Sequence, residues 1–135
     1  MTEDKNHRKP EQEPAIKVSM MPRDTNVHNT IFGGVLLSYI DLAGSVHSRT
    51  QAGCDRVVTI AMKEVIFKEP VYVGDVVSFI CQTQRVGRTS VTVKVEVWAE
   101  RFANRRKSVW VTEAVVTYVN VDSGRRPLPI EDNND

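Results

Sequence analysis

The sequence is poor in cysteine, with only Cys54 and Cys81 among its 135 residues. Neither stands at a spacing that would let it share a metal ion with other ligands. Both are flanked by apolar or ordinary residues, which favours two buried free thiols. Free thiols are typical of a reducing compartment, so we expect a cytoplasmic protein.

Long apolar runs and an excess of one charge are also missing. No stretch reaches the ~18 apolar residues of a membrane-spanning helix. The charged start of the chain, "MTEDKNHRKPEQEP", has no apolar core of a signal peptide. The formal net charge is only +1. We therefore expect neither membrane insertion nor a nucleic-acid partner.

Motifs of several enzyme classes are absent too. The sequence has no GxGxxG or GK[ST] pattern for nucleotide binding, no metal cluster and no Ser/His/Asp set. His28 lies close to the most informative motif but has no triad pattern around it. His47 falls on the apolar side of a predicted helix, where packing is the commoner use.

The remaining pattern predicts one α+β domain. Residues 1–14 are polar and predict a flexible arm, residues 15–130 form a single domain, and residues 131–135 form a disordered acidic tail. A short strand at 15–21 precedes a helix at 34–52. Alternating β-branched residues then predict strands at 56–71, 76–86, 89–101 and 108–122. Short connections predict antiparallel pairing, and the apolar helix should be wrapped by a curved sheet.

The glycine pair Gly33–Gly34, in "NTIFGGVLL", stands where the long helix begins. Backbone N–H groups in a first helical turn have no intrahelical partner, and the helix dipole adds positive charge there. Glycine lets a substrate approach this backbone closely, so the junction can hold a developing oxyanion. The alternative is that the glycines only permit tight packing of the helix.

Asp41 lies within the apolar helix, on a stripe with Gly34, Ser38 and Ser45. Such a carboxylate can act as a general base or a nucleophile, or it can simply face water. It lies on the order of 10–12 Å along the axis from the glycine pair, too far to share one carbonyl with it. Two antiparallel copies of the helix would bring the two features together at a dimer interface.

Three other segments carry polar groups suited to binding. Asn26 can orient water or a carbonyl, or it can cap its own loop. Arg88, Thr89 and Ser90, in "GRTS", offer donors for a phosphate or an amide, or they form a solvated hairpin turn. The basic loops "NRRK" (104–107) and "GRR" (124–126) can contact a phosphorylated nucleotide tail, or serve only solubility.

The chain resembles the hotdog-fold acyl-CoA thioesterases, in the branch of YciA-like acyl-CoA hydrolases. The resemblance runs from about Ile16 to Pro129 through "MPRDTNVHNTIFGGVLLSYIDLAG", "RVVTIAMKEVIFKEPVYVGDVVSF", "VGRTSVTVKVEVWAE" and "TEAVVTYVNVD". The combination "DTN…IFGG…D" with "F…PV…GD" is specific, whereas "FGG" alone is weak. Asn29 departs from the glycine of many relatives, but asparagine tolerates a positive φ.

The resemblance implies a central helix wrapped by a curved antiparallel sheet, with two units joined edge to edge as a double hotdog. It implies hydrolysis of acyl-CoA to a fatty acid and CoA without a metal or other cofactor, by a homo-oligomer that is often a trimer of dimers. It also implies residue roles: Asp41 as catalytic carboxylate, Asn26 as polar partner from the facing protomer, the amides of Gly33 and Gly34 at the thioester carbonyl. For the substrate it implies a CoA contact at Arg88, Thr89 and Ser90, with Thr59 bordering the site.

Two rival functions follow from the same fold. A non-catalytic module that binds or senses acyl-CoA would share the fold, because fold alone does not fix function. Such a sensor would need an output domain, and none is visible in the sequence. A hotdog dehydratase or hydratase would depend on a catalytic histidine with an acidic partner, and neither His28 nor His47 stands in that pattern.

Overall fold

The computed structural model describes residues 7–101 and 107–130, in which one long helix lies against a five-stranded sheet. Strand β1 comes first and is followed by a short 3-10 turn, helix α1 and four longer strands. Their bounds are Ile16–Ser19 (β1), Gly33–Gln51 (α1), Val57–Lys63 (β2), Val76–Val86 (β3), Ser90–Arg101 (β4) and Lys107–Asn120 (β5). The predicted tail at 131–135, residues 104–106 of the basic loop and the first six residues of the arm lie outside the described residues.

The sheet is antiparallel throughout, with the strand order β1-β3-β4-β5-β2. It curls around α1, which contacts β2, β3, β4 and β5. The predicted fold class, a central helix wrapped by a curved antiparallel sheet, is therefore confirmed. Strands β3, β4 and β5 pair with their neighbours in the chain, whereas β2 pairs with β5 at the far edge of the sheet. The segment at 64–75, between β2 and β3, makes this crossing.

The predicted strand at 56–71 is wrong beyond residue 63. Glu64 has a φ of 61°, a left-handed conformation that ends the strand. Farther on, Pro70 has no N–H to donate. The segment still follows β5, since Lys68 N–H donates to the Val111 carbonyl at 2.7 Å and the Thr112 hydroxyl donates to the Ile66 carbonyl at 2.6 Å. The alternation of apolar residues continues through residues 64–71, although this segment forms no regular ladder of hydrogen bonds with β5.

The core lies between α1 and the inner face of the sheet. Alternate valines of β4 are completely buried, as their spacing predicts, and they are Val91, Val93, Val95 and Val97. From the helix, Leu36, Ile40 and Ala43 are at most 3% exposed. Burying a side chain of this size contributes about 1.5–3 kcal/mol, so this interface fixes which face of the helix is turned toward the sheet.

The helix ends close to the predicted positions. It starts at Gly33 and stops at Gln51, and Gly53 follows with a φ of 80°, which suits a glycine after a helix end. In the described parts of the chain, no helix has the length and apolar character needed to cross a membrane.

Both cysteines are free and buried, as predicted. Burial raises the pKa of the Cys81 thiol to about 12. Burial also raises the pKa of Cys54, and the neighbouring Asp55 charge adds to this effect. Both thiols therefore stay protonated near neutral pH, which makes them poor nucleophiles.

Candidate active site

The loop before the helix is organised by Asn26. Its side-chain oxygen accepts the N–H of His28 at 2.8 Å and that of Thr30 at 3.2 Å, while its amide donates to the Thr30 hydroxyl at 3.0 Å. Asn29 turns the loop with a φ of 66°, the conformation that asparagine was expected to tolerate. Of the two roles considered for Asn26, the structure shows the loop-capping one. One N–H of its amide is left over for another acceptor.

The first helical turn presents two backbone N–H groups that have no acceptor within the described residues, those of Gly33 and Gly34. The amides on either side are already bonded, because Phe32 N–H donates to the Asp24 carbonyl at 2.8 Å and Val35 N–H to the Phe32 carbonyl at 3.0 Å. Free donors at the positive end of a 19-residue helix form a ready site for a negatively charged oxygen.

Two phenylalanine rings flank this pair of amides. A Cβ on Gly34 would lie 2.6 Å from the Phe32 ring, and one on Gly33 would lie 3.6 Å from the Phe67 ring. A side chain at position 34 would therefore displace the Phe32 ring. The rings are 56% and 41% exposed, so they form an apolar surface beside the free amides rather than part of the core.

Two paired residues of the sheet hold Asp41 at two points. The Thr59 hydroxyl donates to its carboxylate Oδ1 at 2.6 Å, and the Tyr118 hydroxyl donates to its backbone carbonyl at 2.7 Å. Thr59 and Tyr118 are direct cross-strand partners on β2 and β5, so both side chains point toward α1. The sheet thus fixes the helix backbone at Asp41 and the direction of its carboxylate.

Sequence reasoning missed Tyr118, which is completely buried although its hydroxyl is polar. Burial, first of all, and the nearby Asp41 charge raise the pKa of this phenol well above its ordinary range, so it remains a hydrogen-bond donor. Gly44 makes room for it, because a Cβ there would overlap the hydroxyl oxygen. The signal available in the sequence was a glycine three residues after Asp41 on the same helix.

The structure separates Asp41 from the other predicted catalytic groups within one chain. Its hydrogen-bond partners among the described residues are Thr59 and Tyr118, and neither Asn26 nor the glycine pair is one of them. Seven residues of helix separate it from Gly34, which is about 10 Å along the axis. The separation expected from the sequence is therefore present in the fold.

The "GRTS" segment lies at the same end of the sheet as Asp41. Ser90 pairs with Val119 on β5, one position along from Tyr118. The backbone carbonyls of Arg88 and Thr89 accept N–H groups of Ile130 at 2.9 Å and Asn120 at 2.8 Å. The C-terminal segment, which includes the exposed "GRR" turn at 124–126, is thereby tied to this hairpin. Three exposed arginines, Arg88, Arg125 and Arg126, stand on these two connected segments.

Comparison with known proteins places this chain in a family. Residues 28–101 match the model of the thioesterase superfamily. A Haemophilus influenzae protein described as an uncharacterized acyl-CoA thioester hydrolase is 40% identical over 98% of this chain and 88% of its own length. The chain belongs to the thioesterase superfamily.

Solved structures of the superfamily share the fold as well. A hexameric hotdog-fold thioesterase of Campylobacter jejuni is 45% identical and superimposes with a TM-score of 0.83, over 89% of this chain and 91% of that one. An acyl-CoA hydrolase of Staphylococcus aureus, solved with coenzyme A as an asparagine-to-alanine mutant, is 27% identical with a TM-score of 0.77, over 87% and 72% of the two chains. An aspartate-to-alanine mutant of it is also known. The two mutated residues are as far apart in that sequence as Asn26 and Asp41 are here.

Proposed function

We propose that this thioesterase superfamily member hydrolyses acyl-CoA to a free fatty acid and CoA. The observation that carries the proposal is that one helix presents both an oriented carboxylate, Asp41, and the amides of Gly33 and Gly34, which have no acceptor within the described residues. A carboxylate activates water, and free amides at a helix N-terminus stabilise an oxyanion. These are the two parts that thioester hydrolysis requires, and the relatives described above include acyl-CoA hydrolases.

The reaction balances with water as the only second reactant. Asp41 takes a proton from water as the water oxygen bonds to the thioester carbon. The carbonyl oxygen, now negative, accepts hydrogen bonds from the amides of Gly33 and Gly34. The carbon–sulfur bond then breaks, and the sulfur takes the proton that Asp41 held, so CoA leaves as the thiol. Direct attack by Asp41 is the other mechanism, and transfer of labelled oxygen from water into Asp41 over many turnovers would identify it.

The separation of the two parts requires two chains. Strand β2 is an edge strand, and its Val58 and Ile60 are 40% and 60% exposed. A second copy pairing along this edge buries these side chains and lays two α1 helices side by side in opposite directions. Asp41 of one copy then faces Asn26 and the glycine pair of the other. Three such double hotdogs would make a hexamer, the state described for the Campylobacter relative.

We place coenzyme A on the segments beside this site. Arg88, Thr89 and Ser90 have no side-chain hydrogen bond to another described residue, so their donors are free for a phosphate or an amide of CoA. Arg125 and Arg126 stand on the segment tied to them and add positive charge. A planar guanidinium suits phosphate oxygens, so these arginines would orient the nucleotide end of the substrate.

Neither a metal nor a redox cofactor is needed by this mechanism, because the amides and the carboxylate supply the electrophilic and basic assistance. We also assign the protein to the cytoplasm. Its two buried, unpaired thiols support that assignment, since they are typical of proteins in reducing compartments.

The first experiment is a panel of acyl-CoA substrates from acetyl to palmitoyl, with released CoA measured by a thiol reagent. We expect turnover that Asp41→Ala lowers by at least about a hundredfold without unfolding the protein. Binding of acyl-CoA without release of CoA would instead indicate the non-catalytic sensing module.

A subunit-mixing experiment tests whether the site is shared. Asn26→Ala and Asp41→Ala subunits are each inactive alone, but a mixed dimer holds one doubly altered site and one intact site. Random mixing should restore about a quarter of the wild-type activity, because half the dimers are mixed and each has one good site of two. If the mixture stays as inactive as its components, both groups come from one chain and the shared site is wrong.

A further inference from the structure

The outer face of the sheet, opposite α1, carries a second buried cluster. Ile80 and Trp98 are only 2% and 4% exposed, yet they lie outside the core that packs on the helix. Glu96, a charged residue, is 7% exposed on the same face. The cover comes from the N-terminal arm, whose His7 lies on this face and whose last residues join β1 at the sheet edge. The prediction that the arm is flexible concerns its motion and stays a prediction.

Four side chains of this face form a square across β4 and β5. Glu96 stands directly opposite Glu113, and Trp98 stands directly opposite Trp110. Two carboxylates opposite each other repel and weaken the strand pair. The adjacent aromatic faces carry negative charge density that attracts cations. A positive group placed over the square would satisfy both pairs at once.

His7 occupies that position. Its ring stacks on both indoles, with centroids 5.3 Å from Trp98 and 4.1 Å from Trp110 and interplanar angles of 10° and 24°. Its Nε2 lies 2.9 Å from Oε1 of Glu96, and Trp98 Nε1 donates to the same oxygen at 3.0 Å. One polar atom each of His7, Glu96 and Glu113 lies within 4.8 Å of the others.

Among the described residues, three carboxylates (Glu64, Glu96 and Glu113) and two lysines (Lys68 and Lys94) stand at the square and the adjoining cavity, an excess of one negative charge. Lys94 of β4 lies 3.8 Å from Oε2 of Glu96, and Lys68 lies 6.0 Å from the ring centre of Trp110. A cavity of about 230 Å³ adjoins the square and is lined by Trp110, Glu113, Lys68 and Glu64, among others. The indole N–H of Trp110 is buried and has no acceptor within the described residues.

We propose that Glu96, Glu113, Trp98 and Trp110 form a binding site for a small organic cation, a site that the His7 ring fills in this structure. The stacking geometry suits a flat cation such as imidazolium, because both ring distances fall within the ~6 Å of an effective cation–π contact. The site is independent of the acyl-CoA chemistry on the other side of the sheet.

The tryptophans make the test specific, because the chain has only two and both belong to the square. His7→Ala should empty the site, and imidazolium chloride added at pH 5.5 should then quench the tryptophan emission in a saturable way. Wild-type protein, with the site filled, should respond at least about tenfold more weakly. Adding Glu113→Gln to His7→Ala should weaken the apparent affinity by about tenfold. Sodium chloride serves as the ionic-strength control.

Quenching by imidazolium that is linear with concentration, or indifferent to Glu113→Gln, would overturn the proposal. So would saturable quenching by zinc or nickel ions but not by imidazolium.

Discussion

Replacing Gly44 by alanine adds one methyl group at the place where the sheet holds Asp41. The new Cβ would overlap the Tyr118 hydroxyl oxygen and lie 2.8 Å from Cζ and 2.9 Å from Cε2. Neither side can yield easily, because Tyr118 is completely buried and Gly44 lies inside the helix. The helix must move away from β5, or the tyrosine must leave the position from which it donates to Asp41.

The expected loss of stability follows from three contributions. Overpacking a buried site costs about 1–3 kcal/mol. Breaking the 2.7 Å hydrogen bond from Tyr118 to the Asp41 carbonyl costs about 1–3 kcal/mol more, because the buried Tyr118 hydroxyl would lose its acceptor. Alanine returns about 1 kcal/mol through its better helix propensity. The free energy of unfolding should therefore fall by about 3 kcal/mol.

The assay is urea unfolding, with Gly33→Ala as the matched control in the same helix. A Cβ on Gly33 would meet only the exposed Phe67 ring, at 3.6 Å, so its stability should stay within about 0.5 kcal/mol of wild type. Gly44→Ala should also lower kcat for acyl-CoA, because the displaced helix turn carries Asp41. A Gly44→Ala protein with wild-type stability and wild-type kcat would refute the argument that Tyr118 and Gly44 fix Asp41.

Three further predictions concern single contacts. Thr59→Val keeps the shape but removes the hydrogen bond to Asp41, so kcat should fall about tenfold with KM nearly unchanged in steady-state assays. Burial lowers the pKa of His47, so the unfolded chain binds the proton more readily than the folded one. The free energy of unfolding of wild type, measured by urea unfolding at each pH, should therefore fall as the pH drops below about 6.5. The fall should be less steep in His47→Gln. Asp75 is 5% exposed, and its carboxylate accepts a hydrogen bond from the Arg101 guanidinium at 3.3 Å. Asp75→Ala leaves that cation with the exposed Glu69, at 3.8 Å, as its remaining carboxylate partner among the described residues, and should cost about 3 kcal/mol in thermal unfolding. Glu69→Ala, at the exposed end of the same cluster, should cost under about 1 kcal/mol.

Periodicity was enough to predict the helix and most strands, because both elements bury one face against the other. The valines of β4 alternate strictly, and the helix ends follow from Gly33 and Gly53 within a residue or two. Pairing between strands was less accessible, because alternation says which face is buried but not which strand lies alongside. The position of β2 beside β5 depends on a crossing segment whose turn at Glu64 is a left-handed residue that no local pattern marks.

The site residues that stand close together in the sequence could be predicted. Those that meet only through the register of paired strands could not. Asn26, the glycine pair and Asp41 all stand in one continuous motif, so their residue types and spacing could be read directly. Thr59 was expected beside the substrate, but its hydroxyl bonds to Asp41, and Tyr118 was not expected at all. Both roles arise because β2 and β5 place these two residues opposite each other under one turn of the helix.

That arrangement explains why the carboxylate and the proposed oxyanion donors, although both on α1, are positioned by different parts of the fold. The amides are placed by the start of the helix, whereas Thr59 orients the Asp41 carboxylate and Tyr118 holds the helix backbone at Asp41. Thr59 lies on the edge strand, one position from the exposed Val58, along the line where a second copy would pair. Pairing there would exclude water from the bond between Thr59 and Asp41 and strengthen it. Dimerisation would then bring the glycine amides of the second copy to Asp41 and also strengthen the bond that orients Asp41. Dilution to monomers should therefore abolish kcat rather than weaken substrate binding.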